Sequence, residues 1–422
     1  MIKKILIPVF LLFSFISVAQ QATSSPYSFY GIGDIRFKGT VENRLMGSIG
    51  VFPDSIHINL QNPASYSSVK LATFTVGGAF NSTRINSFQG TDKAQRITLD
   101  YMAVGIPIGK KSGVTLGLIP YSAVGYKVTN LEKTTNNSGD PIEIRRRYEG
   151  EGGLNKVFIG YGRQINKNFS IGADVSYNFG NIETNNIFYQ SGIEYGTQET
   201  NTSEMSGLNV NVGAMYQRKI KKYDFYASLA FTPQNNLKTN NVRSIASIQY
   251  SEEYTPAVLD RLDSISYKTT LKLPSQFSIG AGFGESKKWL VGAEVTFKQS
   301  NSFNNRFTDV NQATFENGAQ YSVGGYYTPN YNSFSNYFKK ITYRAGMRYE
   351  KTGMTVRNEP IKDYAFTGGF GLPLGGTFSN INIGVEYGRR GTAKANLVEE
   401  NYTNVLISLS LNDKWFIQRK FD

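Results

Sequence analysis

The chain of 422 residues has a formal net charge of +13, no cysteine, 42 glycines, 27 tyrosines and 28 phenylalanines. The lack of cysteine excludes disulfide bridges and thiolate metal sites. High aromatic and glycine content, with only 18% charged residues, is typical of a β-rich chain with many turns.

The first nineteen residues have the composition of a secretory signal peptide. Lys3 and Lys4 precede an apolar run over residues 5–18, and Ser17 and Ala19 supply small residues for cleavage. After Ala19, no stretch approaches the about 18 consecutive apolar residues of a transmembrane helix. An exported chain does not routinely meet nucleic acid, so the excess of positive charge favours anionic lipid head groups or anionic ligands as counterparts.

Alternating apolar and polar residues predict a long series of β-strands. In residues 169–180, Ile171 and Val175 share one face, whereas Asp174 and Ser176 share the other. The same pattern predicts fourteen strands, at residues 70–81, 95–108, 112–126, 153–163, 168–180, 205–219, 223–232, 275–284, 288–298, 319–328, 340–350, 362–373, 379–388 and 401–412.

Alternation also occurs in soluble β-sandwiches, but three features favour a transmembrane barrel. The segments have about ten residues, which suits a tilted strand across a bilayer. Aromatic residues such as Tyr177 and Trp289 stand at the ends of the apolar faces. Short turns alternate with long polar stretches such as 126–152 and 234–274, which we expect to be external loops.

The prediction is therefore an all-β protein with a transmembrane antiparallel barrel of about fourteen strands. We expect a signal peptide at 1–19, an N-terminal hatch at 20–69, the barrel at 70–412 and a periplasmic tail at 413–422. An even strand number puts both termini on the periplasmic side of the outer membrane.

Several strings resemble the FadL/TodX family of outer-membrane transporters for long-chain fatty acids and aromatic hydrocarbons. The tripeptide Asn62-Pro63-Ala64, just before the first strand, matches the NPA of that family's N-terminal hatch. Further similar strings are SPYSFYGIGD (25–34), GLIPYSAVGY (117–126), EGGLN (151–155), YTPNY (327–331) and NDKWF (412–416). The resemblance implies a hatch that fills the lumen and gates passage of a hydrophobic ligand.

The third predicted strand contains Pro120, with Gly117 and Gly125 on either side. Proline removes a ladder donor, so a bulge or bend is expected here, and barrel curvature alone is a sufficient reason for it. The family resemblance implies a second reason, an inward kink that opens the wall laterally toward the bilayer.

Charged residues on the polar faces are expected to point into the lumen: Asp174, Glu294, Arg344, Arg348 and Glu386. Carboxylate–guanidinium pairs that brace the hatch are the favoured interpretation, because unpaired buried charges are costly. The alternative is an anion site in which Arg344 or Arg348 holds a carboxylate.

Other candidate sites are weaker. The basic run Arg145-Arg146-Arg147, expected in an external loop, is either simply solvated or in contact with lipopolysaccharide phosphates. His57 is the sole histidine and cannot form a metal cluster by itself. Residues 280–284 lack the spacing of a dinucleotide loop, and no nucleophile elbow or P-loop occurs. We therefore predict no enzyme activity, no cofactor and no metal.

Two functions remain. The first is passive uptake of hydrophobic molecules, such as fatty acids or aromatic hydrocarbons, through a hatch-gated barrel with lateral exit. The alternative is a non-transporting barrel that serves as a scaffold among other outer-membrane proteins in a secretion or assembly complex. A continuous apolar pocket in the lumen would favour transport, and a lumen filled by salt bridges would favour the scaffold.

Overall fold

The computed structural model describes residues 23–88, 90–135, 139–249, 256–301, 313–333, 335–375 and 377–414. The expected signal peptide, residues 20–22 of the expected hatch and residues 415–422 of the expected tail lie outside the described residues. No helix in the described ranges is long and apolar enough to cross a membrane.

Fourteen antiparallel strands form the wall, as predicted. They are β1 (Ala72–Ser87), β2 (Gly90–Ile108), β3 (Ser112–Thr135), β4 (Pro141–Gln164), β5 (Phe169–Gln190), β6 (Gly196–Ile220), β7 (Tyr223–Thr232), β8 (Ser275–Glu285), β9 (Trp289–Gln299), β10 (Gly318–Tyr327), β11 (Thr342–Val356), β12 (Glu359–Pro373), β13 (Asn380–Gly391) and β14 (Glu399–Asp413).

The sheet closes on itself where the last wall strand meets the first. The β14–β1 ladder runs from Asp413 opposite Ala72 to Glu399 opposite Asn86. This closure completes the barrel and gives the backbone of both terminal wall strands hydrogen-bonding partners. A closed ladder is what a strand needs in apolar surroundings, where water cannot bond to the backbone.

The two ends of the barrel differ in their connections. One end, called here the short-turn end, carries six connections at residues 109–111, 165–168, 221–222, 286–288, 328–341 and 374–379. The opposite end, called the long-strand end, carries the remaining connections and the outer parts of the strands. Both the start of β1 and the end of β14 lie at the short-turn end.

The expectation of a long external loop at 126–152 is wrong. The β3–β4 ladder continues through this stretch and reaches Thr135 opposite Pro141, so only a short connection remains. Backbone pairing extends beyond the apolar belt here, since antiparallel strands can stay paired where a face of the sheet meets water.

The described parts of 234–274, which leave out residues 250–255, are also mostly paired rather than irregular. Asn235–Gln249 continues from β7 and pairs with β6, and Ile265–Leu273 pairs back on it before β8 begins. The short strand Ala257–Arg261 also pairs with Asn235–Gln249. Another short strand, Ala313–Phe315, pairs with β11.

The apolar face of each strand points outward, as the alternation predicts. Ile171, Val175, Val291, Ile383 and Ile407 each leave between 37% and 54% of their surface exposed. The intervening Asp174, Ser176 and Glu386 are buried on the luminal side. The predicted register is therefore confirmed at these positions.

Aromatic side chains surround the wall near the short-turn end. The ring centroids of Tyr223 and Phe283 lie 5.1 Å apart, and Trp289 lies 6.0 Å from Tyr223. Tyr343 of β11 and Phe370 of β12 form a similar contact at 5.6 Å. Such rings, apolar in body and polar at one edge, suit the level of lipid head groups.

Residues 23–71 precede the wall and pack against its luminal face. This N-terminal segment contains the 3-10 helices Pro26–Phe29 and Pro63–Ser68, the strand Asp34–Ile35 and the α-helix Val41–Arg44. Its Leu45, Ile58 and Tyr66 join a buried cluster with Phe158 and Leu406 of the wall. Two more 3-10 helices, Tyr337–Lys340 and Lys394–Asn396, lie in connections.

The register generates a stability prediction. Val175→Arg places a charge on the outer face of β5 and should lower the free energy of unfolding by about 2–4 kcal/mol in a lipid bilayer. The luminal neighbour Ser176→Thr should cost far less, and Val175→Leu should be close to neutral. Urea unfolding in lipid vesicles measures all three, and equal losses at residues 175 and 176 would contradict the register.

Candidate functional site: the interface between the N-terminal segment and the wall

The Asn62-Pro63-Ala64 motif starts the 3-10 helix Pro63–Ser68 and fixes it to the wall. The Asn62 side-chain oxygen accepts a hydrogen bond from the Ala64 backbone nitrogen at 3.1 Å, which caps the helix. Its amide group donates to the carbonyls of Ala214, at 3.3 Å, and Leu229, at 3.0 Å. One side chain therefore both begins the helix and joins it to β6 and β7.

Glycines on the luminal face of the wall allow this close approach. A Cβ atom at Gly172 would lie 2.3 Å from the Pro63 carbonyl oxygen, and one at Gly213 would lie 2.0 Å from the Asn62 side-chain oxygen. A Cβ atom at Gly162 would lie 2.6 Å from the same Pro63 oxygen. A side chain at any of these positions would push the helix off the wall.

Glycines of the wall also allow close approach of residues 46 and 47, in the middle of the N-terminal segment. A Cβ atom at Gly324 would meet the Met46 carbonyl oxygen at 2.2 Å, and one at Gly346 would meet the Gly47 nitrogen at 2.1 Å. Sequence reasoning did not single out these glycines. The signal for them was available, because glycine recurs at every second residue on the inward faces, as in 160–162 and 280–284.

A network of ion pairs connects the α-helix of the segment to the wall. Arg44 donates to Glu386 with its Nη2 2.5 Å from Oε2, and its Nη1 lies 3.2 Å from Asp100. Arg348 holds the other oxygen of Glu386 at 3.1 Å and Asp363 at 3.2 Å. Glu386 is fully buried and bridges two guanidinium groups.

The network extends toward the long-strand end. Arg348 also contacts Glu350 at 3.4 Å, and Lys298 binds the same carboxylate. Tyr402 donates to Asp363 at 2.7 Å, and Arg390 pairs with Asp34 of the segment. Cations and carboxylates therefore alternate along the luminal surface.

A second polar group surrounds Glu42, which is buried in the α-helix. Its Oε1 accepts hydrogen bonds from Asn382 at 2.6 Å and Ser408 at 3.0 Å. Arg344 donates to the side-chain oxygen of Asn382 at 2.8 Å. His57 lies 3.9 Å from Glu42, and its Nδ1 is 2.8 Å from Asp54.

The five charged residues singled out in the sequence are divided among four places. Arg348 and Glu386 meet directly, whereas Arg344 belongs to the Glu42 group. Glu294 accepts a hydrogen bond from the Gly50 backbone nitrogen at 2.9 Å, and Asp174 accepts one from Asn211 at 2.8 Å. Arg44, Glu42, Asp100 and Asp363 were missed, because their partners are distant in sequence.

The third strand is irregular where proline predicts it. The β3–β4 register shifts between Pro120 and Ser122, which marks a bulge at Tyr121. The β2–β3 ladder ends at Met102 opposite Leu118, just before the bulge. Gly117 lies in the last part of that ladder.

The N-terminal segment contacts this irregular part of β3. Asp34 and Ile35 pair with Ala123 and Ser122 as a short strand. The Arg36 nitrogen donates to the Tyr121 carbonyl at 2.9 Å, and the Gly125 nitrogen donates to the Ser28 hydroxyl at 3.2 Å. The bulged part of β3 therefore contacts residues 28–36 of the N-terminal segment, whereas Asn62 of the predicted hatch motif bonds to β6 and β7.

The basic run Arg145-Arg146-Arg147 lies in β4 and not in a loop, contrary to expectation. Each guanidinium has a carboxylate partner: Arg145 contacts Glu143 at 2.9 Å, Arg146 contacts Glu132 at 2.8 Å and Arg147 contacts Glu149 at 2.6 Å. These partners offset the positive charge that lipopolysaccharide phosphates would require.

Two cavities flank the α-helix of the segment inside the barrel. The cavity toward the long-strand end has a volume of about 260 Å³ and is lined by Arg44, Arg348, Glu350, Asp363 and Glu386 among others. The cavity at the short-turn end has a volume of about 430 Å³, and Glu42, His57 and Arg344 contribute to its lining. Within the described residues, no group of three or more His, Asp and Glu side chains could hold a metal ion.

The glycine contacts predict how the helix Pro63–Ser68 can be displaced. Gly172→Ala should push Pro63 off the wall and expose Ser65, which is 2% exposed. Because the chain has no cysteine, Ser65→Cys provides a unique maleimide label in an otherwise unreactive protein. Labelling should be slow in the Ser65→Cys background and at least about tenfold faster with Gly172→Ala, since accessibility controls thiol reactivity.

The control for this experiment is Gly375→Ala, where a Cβ atom meets nothing within 4 Å. Its labelling rate should equal that of the background. If Gly172→Ala labels no faster than Gly375→Ala, the close approach of Pro63 to β5 is not what holds the helix.

The Asp54–His57 pair predicts a pH dependence. Burial opposes both charges, but the carboxylates of Asp54 and Glu42 outweigh it and raise the pKa of His57, while His57 lowers the pKa of Asp54 to about 2. Stability from His57 is present below its unfolded pKa of about 6.5 and is lost as pH rises through the folded pKa. Stability from Asp54 is present above about 3.8 and is lost as pH falls toward 2.

Residues 54–57 should therefore be held most firmly between about pH 4 and pH 6.5. The sole histidine gives a single imidazole NMR signal, and its midpoint should lie above 6.5 and fall in Asp54→Asn. A wild-type midpoint at or below the unperturbed value would contradict the pairing.

Comparison with solved structures identifies the fold. The toluene transporter TodX of Pseudomonas putida superimposes with a TM-score of 0.58 at 13% sequence identity, covering 91% of this chain and all of that one. The toluene transporter TbuX of Ralstonia pickettii gives 0.56 at 14% identity, covering 89% and 99%. The CymD monoaromatic hydrocarbon channel gives 0.54 at 13% identity, covering 93% and 100%. The chain is thus a FadL-type β-barrel.

No curated protein sequence matches the chain. A family model does match it over its whole length, residues 1–422, and that model describes BamG. With a FadL-type barrel as its fold, the chain belongs to the BamG family.

Proposed function

We propose that this protein is a plugged, non-transporting barrel of the outer membrane that serves as a scaffold subunit in a protein secretion or assembly complex. The ion-pair network that joins the N-terminal segment to the wall supports the proposal most. Arg44 lies between Asp100 and Glu386, and Glu386 also binds Arg348. A mobile hatch would have to break these buried pairs, and losing one partner of a buried pair costs about 3–5 kcal/mol.

The lining of the cavity toward the long-strand end also favours a scaffold. Sites for hydrophobic ligands have volumes of about 300–1,000 Å³ and are lined mainly by apolar and aromatic side chains. The cavity toward the long-strand end, of about 260 Å³, is lined by six basic and six acidic residues. They are Asp34, Arg36, Arg44, Arg96, Asp100, Lys298, Arg348, Glu350, Asp363, Glu386, Arg390 and Glu400. Transfer of an apolar molecule from water into this charged cavity therefore gains little free energy.

Membership of the BamG family adds weight to a role in an assembly complex. The solved structures of the same fold carry the names of channels and not of enzymes. The proposed role needs no catalytic step and no cofactor. In this proposal, residues 23–71 are a fixed plug, and both termini lie on the periplasmic side with the short-turn end.

A second candidate function is passive uptake of a hydrophobic molecule with lateral exit through the wall. The bulge at Tyr121 and the end of the β2–β3 ladder at Leu118 favour it, because the wall lacks strand pairing just beyond this point. Residues 34–36 of the segment contact the bulge, so movement there would couple the segment to the wall. TodX and TbuX are named as toluene transporters, but their likeness to this chain is one of fold.

One experiment distinguishes the two functions. The tagged protein is extracted from its native membrane in mild detergent, and bound proteins and lipids are identified by mass spectrometry. The scaffold predicts the same outer-membrane proteins in stoichiometric amount, confirmed by tagging each partner in turn, with no enriched hydrophobic ligand. Recovery of the barrel alone with a bound fatty acid or aromatic compound would contradict it.

Variants of the Asn62-Pro63-Ala64 motif complete the test. Uptake of a hydrophobic probe should fall sharply in Asn62→Ala and Pro63→Gly if the protein transports it, while Gly375→Ala should behave as wild type. A scaffold predicts no dependence of uptake on any of the three. Membrane insertion should survive all three changes, because these residues are outside the closed ladder.

A further inference from the structure

The positive charge of the chain is concentrated at one end of the barrel. The six connections at the short-turn end contain nine lysines and no acidic residue. These are Lys110, Lys111, Lys167, Lys221, Lys222, Lys287, Lys288, Lys339 and Lys340. Eight of them are exposed, and Lys340 is half-buried.

The opposite end provides an internal comparison. The described parts of its connections, with the strands between residues 233 and 274 included, contain seven basic and five acidic residues. The basic ones are Lys238, Arg243, Arg261, Lys268, Lys272, Arg357 and Lys394, and the acidic ones are Asp140, Glu194, Asp260, Asp263 and Glu316. The asymmetry is therefore a property of the short-turn end and not of loops in general.

The lysines also surround the opening into the barrel. Lys167, Lys287 and Lys340 line the cavity of about 430 Å³, together with Lys70 and Arg344. The acidic residues of that lining are Glu42 and Asp54, and Asp54 pairs with His57. Positive potential is focused in clefts with low-dielectric walls, so this opening attracts negative charge.

We infer that the short-turn end is a docking surface for an acidic face of a partner protein. The inference rests on the proposed scaffold role and names the chemistry of one of its partners. These lysines are called here the lysine ring, and they stand in five successive connections at this end, from the β2–β3 turn to the β10–β11 connection. With strands about 4.8 Å apart and tilted by about 40°, fourteen strands give a barrel about 28 Å across, which a small anion cannot span.

Anionic lipid head groups are the competing occupant. They reach the outside of the ring, beside the aromatic residues Tyr223 and Trp289. They do not reach Lys70, Lys167 and Lys287 where these line the luminal opening, because the wall separates the opening from the bilayer. A water-soluble acidic surface can cover both the rim and the opening, which favours a protein.

The test compares two sets of six charge removals in the full-length protein. The ring variant carries Lys110→Gln, Lys111→Gln, Lys221→Gln, Lys222→Gln, Lys287→Gln and Lys288→Gln. The matched control carries Lys238→Gln, Arg261→Gln, Lys268→Gln, Lys272→Gln, Arg357→Gln and Lys394→Gln at the other end, all at exposed positions. Both lose the same net charge, and exposed substitutions of this kind change stability little.

The first readout is binding of a fluorescent oligoglutamate peptide to each protein in phosphatidylcholine nanodiscs. The wild type should bind with an affinity that falls with salt, and the ring variant should bind about tenfold more weakly, with the control unchanged within about twofold. Equal losses in both variants would show an effect of net charge alone and would overturn the inference. Absence of wild-type binding would overturn it as well.

The second readout is photo-crosslinking in the native membrane from positions 110, 221 and 287. Crosslinks from all three positions to one protein, through peptides rich in Asp and Glu, are expected. Restored crosslinking when Lys→Glu changes in the ring are combined with Glu→Lys changes in that protein would establish the contact. Crosslinks to phospholipid alone, or none, would overturn the inference.

These readouts separate failure of the docking surface from failure of the scaffold role. If the ring variant still co-purifies with the full set of outer-membrane partners and loses no crosslink, the scaffold stands and the lysine ring is not its docking surface. If no partner co-purifies with the wild type, the scaffold role fails even where the oligoglutamate peptide binds.

Discussion

The ladder that joins β14 to β1 is the constraint on which the other features depend. Strands in lipid must satisfy every backbone donor and acceptor among themselves, and a sheet achieves this only when it closes. Closure in turn imposes strict alternation, because each side chain then faces either lipid or lumen. Val175 and Ser176, adjacent in sequence, have opposite surroundings for this reason.

Closing fourteen strands creates a second requirement, since the interior is wider than wall side chains can fill. About eight strands give an interior that side chains alone can pack. Here residues 23–71 occupy the additional space, and the luminal glycines let their backbone lie directly on the wall. Polar wall residues then become buried, so Glu386 and Arg348 need partners from within the lumen or from each other.

Much of the fold could be predicted from local pattern. Period-two alternation gave the number of strands and the face that each presents, because the apolar belt imposes it on every strand that crosses. The residues at which each strand ends were harder to predict. Beyond the belt, both faces of a strand are mostly polar, as in residues 127–135 with Val128 and Leu131 as exceptions, so alternation vanishes while the ladder continues. The run Arg145-Arg146-Arg147 was mistaken for a loop for the same reason.

The candidate site was less predictable because it depends on contacts between distant residues. Alternation indicated that Arg348 and Glu386 point inward, but their meeting depends on the registers of β11, β12 and β13 taken together. Likewise, Asn62 in a turn is an ordinary helix cap, and nothing local reveals that its amide also binds Ala214 and Leu229. Pro120 was more informative, since a missing donor perturbs a ladder wherever the strand lies.

The length of the β3–β4 hairpin has a mechanical consequence. The 24 residues of β3, at a rise of about 3.3 Å each, span about 80 Å, whereas a tilted strand needs only about 9–11 residues to cross a bilayer. The hairpin therefore projects well beyond the membrane as a continuous ribbon whose one register shift is at Pro120–Ser122. A ribbon bends where its ladder is weakest, so a force on the tip acts as a torque on the bulge.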